Sequence, residues 1–495
     1  MGRRAVVPRL IQLSLMALLS ATSTPDCVKA QSGTDGAVPR SGLSAKVDTL
    51  TSMLPALLEA AFKESGLPSL SVALVHGETV VYSQAFGYAD LENRLPATRA
   101  TVYPIGSITK VFTATMLVRM AEEGILTLDT PVKTYLPEYK VRSPFDGTQP
   151  ATLRQLATHT SGLPREANVN FWSDFATLQW VLSAGKTEMR WYAPVDEVLA
   201  SLASMTLVYP PNSQYLYSNL GMTLLGIALE RAAGISFEDY VKDEILAPLG
   251  MDDTGFRSDV AKRGPLPIGY VPLEEGADPI VAPEWELEAA QFSGGLYSTA
   301  EDMARFISLQ FRDEVPGGSQ ILSGDGLRMM HLESLAWGYV YDPRYKGVES
   351  TGGHLGFHAI VRAYPSLRIG IVALANSNNP LRDGHPANKI ARAILGELKK
   401  VVEGAAASEA PSSEITDYGG RYVLAGANAE ISVTPEGRSL RVRLPSDSSF
   451  VMVSKVNDEF GLEGDPDTWL YFIRGESGGV HCVSFAGFRF DKVDQ

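Results

Sequence analysis

Pro104-Ile105-Gly106-Ser107-Ile108-Thr109-Lys110 opens a segment whose apolar residues recur at helical spacing as far as Glu123. The pattern puts Ser107 at the start of a helix and Lys110 one turn further on, on the same face. Residues three apart on a helix have Cβ atoms about 5–6 Å apart, so the Lys110 amine is expected to reach the Ser107 hydroxyl. The free N–H groups of a first helical turn can also face a developing oxyanion. Ser107 and Lys110 are thus candidates for a nucleophile and its base. That role requires burial or a nearby positive charge to lower the lysine pKa.

Ser-x-x-Lys on its own selects nothing, because roughly one such match is expected by chance in a chain of this length. A second match stands at Ser183/Lys186, where a helical pattern ends just before Gly185. Only Ser107 opens a helix. Of 495 residues, 45% are hydrophobic and 20% charged, enough for a large core and two domains. The formal net charge of -14, with no basic run to offset it, argues against nucleic acid as a partner.

Residues 1–30 read as an export signal. Arg3, Arg4 and Arg9 precede an apolar run over 10–19, and small residues follow, ending at Ala21 or Ala30. The expected destination is the periplasm or the medium. A plain membrane anchor is the alternative, although the run is shorter than the roughly 20 apolar residues of a spanning helix. No later stretch supplies such a helix, so no integral membrane segment is expected after signal removal. Cys27 and Cys482 are the two cysteines, which excludes a disulfide framework. Thr24, Pro25 and Asp26 lack the small apolar character expected before a lipidated cysteine.

The clearest boundary lies at 403–415, where Ala, Ser, Gly and Pro replace a helical pattern over 386–402. Upstream, a large domain over 46–402 has strand-like runs at both ends, 69–75 and 368–375. Helical runs such as 111–123 and 220–233 lie between them. Downstream, 416–495 alternates short β-rich runs with turn residues and is expected to form a small barrel or sandwich. Gly475-Glu476-Ser477-Gly478-Gly479 matches a nucleophile elbow but sits in this β-rich tail with no helix after it, so a hairpin turn is expected. His159 and His358 lack the spacing and acidic partner of a metal site; no metal or cofactor is expected, and His159 is read as holding a loop by hydrogen bonds.

Two further motifs carry chemistry. Tyr217-Ser218-Asn219 directly precedes the helical run 220–233. Tyr217 can relay a proton, and Asn219 can hydrogen-bond a substrate, or Ser218 or Asn219 simply caps the helix. His354-Leu355-Gly356 precedes two strand-like runs. There Gly356 would let substrate approach the backbone and the Phe357 N–H would supply a second oxyanion donor, or the motif is only a tight turn between strands.

In this order, Ser-x-x-Lys, Tyr-x-Asn and His-x-Gly resemble the serine β-lactamase and penicillin-binding-protein superfamily, in its class C β-lactamase-like branch. The stretches 156–164 (LATHTSGLP), 248–254 (PLGMDDT) and 294–299 (GGLYST) share that resemblance. It implies an α/β (α+β) fold with an antiparallel sheet flanked by helices, a mainly helical subdomain and an appended small β-barrel. It further implies an acyl-enzyme on Ser107 served by Lys110 and Tyr217, with Asn219, His354, Gly356 and Phe357 binding substrate. The substrate would be a small ester, a peptide or a β-lactam. His354 stands where β-lactamases of the branch have a lysine, which argues against an efficient β-lactamase without separating esters from peptides; a carboxylesterase is the leading expectation. A D-amino-acid peptidase or DD-carboxypeptidase, a weak β-lactamase, and a non-catalytic binder of peptidoglycan or β-lactam are the alternatives. The segment 165–209 looks like an aromatic-rich insert, either an acyl-binding wall or a helical subdomain with its own core.

Overall fold

In the computed structural model, the described residues are 40–169, 180–181, 183–186, 193–272, 278–284, 287–312, 321–340, 345–379, 384–406, 415–424, 430–444, 448–456, 459–462, 469–474, 479–485 and 488–493. They fall into two compact units. Of the described residues, one unit comprises 40–338 together with 348–404; the other comprises 339–347 and those from 405 onward.

The larger unit is organised by an antiparallel sheet whose inner strands are largely apolar and buried. β1 (Ser69–His76) and β5 (Ile369–Ala375) are buried along almost their whole length, the mark of strands covered on both faces. They pair directly, Leu70 opposite Ala375, although almost 300 residues separate them in sequence. β2 (Thr79–Asp90) flanks β1, while β4 (Phe357–Tyr364) and β3 (Gly347–His354) continue outward from β5. The order is therefore β2-β1-β5-β4-β3, with strands from both ends of the domain enclosing its helical middle.

Helices cover this sheet and fill the space beside it. α1 (Arg40–Ser65) stacks Phe62 on Phe86 of β2, ring centroids 5.7 Å apart. α2 (Thr109–Glu122) is buried on nearly every side, and its Phe112 ring lies 4.0 Å from Phe306 of α5 (Ala300–Leu309). A helix apolar all round belongs in a core. α3 (Asn219–Ala233) begins with Ser218 as its N-cap, accepting from Gly221 N at 2.8 Å, and ends at Gly234 in the left-handed region.

The described part of the insert does not have a separate core. Trp180, Val181, Ala193, Val198, Leu199, Leu202, Met205 and Leu207 join the same cluster as α2 and α3. Of its aromatics, Phe171, Trp172, Phe175, Trp191 and Tyr192 lie outside the described residues. The expected start of the linker also shifts: α6 runs over Pro386–Ala406, so 403–406 are helical, in keeping with the helix preference of Glu and Ala.

The second unit holds a closed eight-stranded antiparallel barrel. Its strands are β6 (Gly420–Leu424), β7 (Glu430–Glu436), β8 (Ser439–Arg443), β9 (Ser449–Val456), β10 (Glu459–Leu462), β11 (Trp469–Arg474), β12 (Val480–Phe485) and β13 (Phe488–Val493). Tyr422, Val433, Leu440, Val442, Met452, Phe460, Leu470, Val483 and Phe490 fill its interior. Ser477 and its neighbours 475–478 lie outside the described residues, between the antiparallel partners β11 and β12.

One close contact ties this packing to chemistry. A Cβ at Gly226 of α3 would stand 2.6 Å from Phe292 Cβ and Cδ1, in the short helix α4 (Gln291–Gly294). Gly226→Val should therefore push α4 away and destabilise the fold by about 2 kcal/mol or more. Thermal unfolding with an activity assay on the folded fraction checks this, with both readings expected to fall.

Candidate active site

Ser107 lies in a single 3₁₀ turn, Gly106–Ile108, that leads straight into α2. Leu296 fixes the turn from both sides, accepting from Ile105 N at 2.9 Å and donating its own N–H to Thr109 Oγ1 at 3.1 Å. Gly106 takes φ +52°, a conformation few side chains tolerate. The GGLYST stretch thus acts as the bracket that holds the nucleophile turn.

Around Ser107 Oγ the structure assembles the first three residues picked out by sequence. Lys110 Nζ donates to Ser107 Oγ at 2.9 Å, and Tyr217 OH donates to the same oxygen at 2.9 Å. Lys110 is 2% exposed, and its amine also donates to the Ser293 carbonyl of α4 at 2.9 Å. Burial pulls its pKa below the ordinary lysine value and Arg165 adds to the pull, while Tyr217 and Glu166 oppose it. Lys110 is thus shifted toward the neutral amine a base must be.

The Tyr217 turn is clamped by the loop that follows α-helical residues Leu153–Ala157. His159, at φ +58°, accepts from Ser218 N at 3.2 Å, and its carbonyl accepts from Leu216 N at 2.8 Å. Ser218 Oγ donates to the Pro164 carbonyl at 2.7 Å, and Leu220 N donates to that of Arg165 at 3.1 Å. Burial holds His159 at about 3, so it is neutral and its Nδ1 can accept. Ser218 is the cap, which leaves Tyr217 and Asn219 to act on their surroundings. Asn219 Nδ2 donates to Glu166 Oε1 at 2.7 Å; among the described residues its buried Oδ1 has no hydrogen-bond partner.

The third motif needs a correction. It is Gly352 and Gly353 of β3, not Gly356 and Phe357, that lie against the nucleophile. A Cβ on Gly352 would collide with the Ile105 carbonyl and stand 2.9 Å from Ser107 N; one on Gly106 would stand 2.9 Å from Gly353 N. β3 and β4 are joined by the two-residue turn Leu355–Gly356, with His354 opposite Phe357. In such a hairpin the closing pair exchanges hydrogen bonds, so the Phe357 N–H is used within the ladder. Gly353, opposite His358, then falls in the alternate position, its N–H turned outward from β4. Gly356 does make a close backbone approach, at φ +77°, but to Gly269, and its N–H goes to the Asn378 carbonyl at 3.2 Å.

His354 is likewise placed differently from expectation. It is buried and its Nε2 bonds the Gly294 carbonyl at 3.2 Å; burial, aided by the Lys110 charge, holds its pKa down at about 4. It is a neutral strut between β3 and α4. The part of β3 that runs up to Gly352 carries Ser350 and Thr351. Position on the strand, set by the hairpin register, could not be read from a three-residue pattern. The signal that was available is the Gly352-Gly353 pair itself, since adjacent glycines in a strand mark a close approach of another backbone.

Arg165 and Glu166 were missed as site residues, because nothing in a loop sequence shows which turn it will embrace. The Arg165 guanidinium carbon lies 5.1 Å from the Tyr217 ring centre, as does Lys110 Nζ. Ser183 of the second Ser-x-x-Lys instead donates to the Trp180 carbonyl at 2.9 Å, closing a helix end. No group of His, Cys, Asp and Glu among the described residues could hold a metal ion.

Two expectations follow. Gly352→Ala should reduce turnover by more than about 100-fold by forcing β3 off the Ser107 turn, which steady-state kinetics on folded protein will read. His159 and His354, from an ordinary value of 6.5, have lowered folded pKa values. The unfolded chain therefore binds more protons between pH 6.5 and about 4, so stability present above pH 6.5 should be lost as the pH falls through that window. Urea unfolding midpoints measured across it check the sign.

Comparison with known proteins agrees with this geometry. The family model Beta-lactamase matches residues 54–395. Beta-lactamase-like protein 2 of Dictyostelium discoideum is 33% identical over 254 residues, 51% of this chain and 44% of that protein. Among solved structures, a β-lactamase/D-alanine carboxypeptidase from Yersinia pestis is 26% identical with a TM-score of 0.55, covering 71% of this chain and 98% of its own. EstCE1, a hydrolase with promiscuous acyltransferase activity, superposes with a TM-score of 0.55 at 22% identity, over 71% of this chain and 98% of its own. The chain belongs to the β-lactamase family, whose members are serine hydrolases.

Proposed function

We propose that this chain is an exported carboxylesterase that cleaves small esters through an acyl-enzyme on Ser107. The observation that carries the reading is the placement of a buried amine and a phenol, Lys110 and Tyr217, each 2.9 Å from the half-buried Ser107 hydroxyl. Ser107 Oγ attacks the ester carbonyl and forms the C–O bond, giving up its proton toward Lys110 and Tyr217. The oxyanion is received by the N–H groups of Ser107 and Gly353, which the close approach of β3 brings together. Collapse breaks the bond to the alcohol, which takes the proton back; water then attacks the acyl group and Ser107 is restored.

Preference for esters over β-lactams rests on β3. A fixed ammonium there would favour a substrate carboxylate, but Ser350 and Thr351 are uncharged and His354 is neutral. The apolar run and basic start of residues 1–30 support export.

A fluorophosphonate probe followed by peptide mapping should label Ser107, and Ser107→Ala should abolish turnover; label on Ser183 or Ser477 would overturn the mechanism. At equal enzyme concentration, 4-nitrophenyl butyrate should be cleaved in preference to nitrocefin and a D-Ala-D-Ala peptide. Preference for the peptide would replace the esterase reading with a peptidase one. Because burial lowers the Lys110 pKa, kcat/KM should rise with pH along a limb well below the ordinary lysine range.

A further inference from the structure

Three side chains bear on the Lys110 amine: Tyr217, Glu166 and Arg165. Lys110 itself is buried and shifted toward neutrality, His354 is neutral, and Glu349, the charged residue of β3 before Gly352, is paired with Arg362 and Arg392. Arg165 brings a guanidinium beside this amine, the planar donor that matches a carboxylate. Its side chain is 44% exposed, so substrate can reach it from solvent.

Its position is built into the fold. The Arg165 carbonyl accepts from Leu220 N at 3.1 Å, in the first turn of α3. Its guanidinium lies over the Tyr217 ring, 5.1 Å from the centroid, and Nε stands 3.3 Å from Glu166 Oε1. Glu166 is in turn held by Asn219 Nδ2 at 2.7 Å. Backbone, ring and carboxylate together fix a long side chain that would otherwise sample many rotamers, and a planar guanidinium held in this way suits a carboxylate.

We propose that Arg165 is the specificity-determining cation of this site, receiving a carboxylate on the acyl part of the substrate along the wall formed by residues 164–166 and the Tyr217 turn. The inference rests on the hydrolase reading of Ser107. It places the charged group away from β3, so it favours half-esters of dicarboxylic acids and acidic acyl groups, and leaves the argument against an ammonium on β3 intact. Glu166 keeps the guanidinium oriented and tempers its charge.

The test compares mono-4-nitrophenyl adipate with 4-nitrophenyl hexanoate, esters of equal chain length that differ in a terminal carboxylate. Wild type should show the higher kcat/KM on the adipate ester. Arg165→Gln should lower the adipate-to-hexanoate ratio about tenfold, whatever happens to the absolute rates, Arg165→Lys should restore part of it, and Arg165→Glu should lower it further. Added salt should compress the wild-type ratio and leave that of the Gln variant flat. A ratio unchanged by Arg165→Gln, or no adipate preference in wild type, overturns this inference alone. Failure of wild type to cleave either ester overturns the esterase reading and this inference with it. A variant that unfolds loses both activities and is replaced by Arg165→Lys, whose ratio must fall between wild type and one.

Discussion

The site depends on one steric constraint: the backbone of β3 must pass close enough to the Ser107 turn that neither Gly352 nor Gly106 has room for a side chain. Two strands and a turn are adjusted to meet it. Leu296 holds residues 105–109 by a pair of hydrogen bonds, while the tight Leu355–Gly356 hairpin sets which N–H groups of β3 face outward. The result is a place where the Ser107 and Gly353 amides can converge on one oxygen. No strong donor side chain is needed for that, which explains why the neighbouring residues on the strand are free to be small and uncharged.

Electrostatics then follow from burial. Lys110 is shifted toward the neutral amine because it is enclosed where α2 meets α4, held between a hydroxyl and a carbonyl. Its charge is disfavoured by desolvation first and by Arg165 second, with Tyr217 and Glu166 acting in the opposite sense. His159 and His354 are kept neutral by the same enclosure and serve as braces. The charged side chains that act on Lys110, the paired Arg165 and Glu166, thus lie on the 164–166 loop.

The sequence was informative where chemistry and structure share a local pattern. Ser107 and Lys110 could be chosen because a helix start is visible in three or four residues, and the hydrogen bond between them is a property of one helical turn. The order of strands and helices was visible too, since β1 and β5 are apolar-rich runs. What failed depended on register. His354-Leu355-Gly356 matched a three-letter pattern, yet a strand reaches its neighbour through whichever residues the hairpin puts opposite, and Gly352 and Gly353 lie four positions before Gly356 and Phe357. Arg165 and Glu166 were hidden for a related reason: their role comes from bonds between a loop and a helix start more than 50 residues away.

The C-terminal barrel has a consequence for how this protein meets other chains. Its first and last strands pair, Arg421 opposite Val493 through Leu424 opposite Phe490, so the ring of backbone hydrogen bonds is complete. A sheet without edges offers no template for an added strand. Self-association by strand exchange is closed to this unit, and anything that docks on it must do so through side chains, such as the exposed Arg421–Glu430 and Arg441–Glu436 pairs that ring its outside.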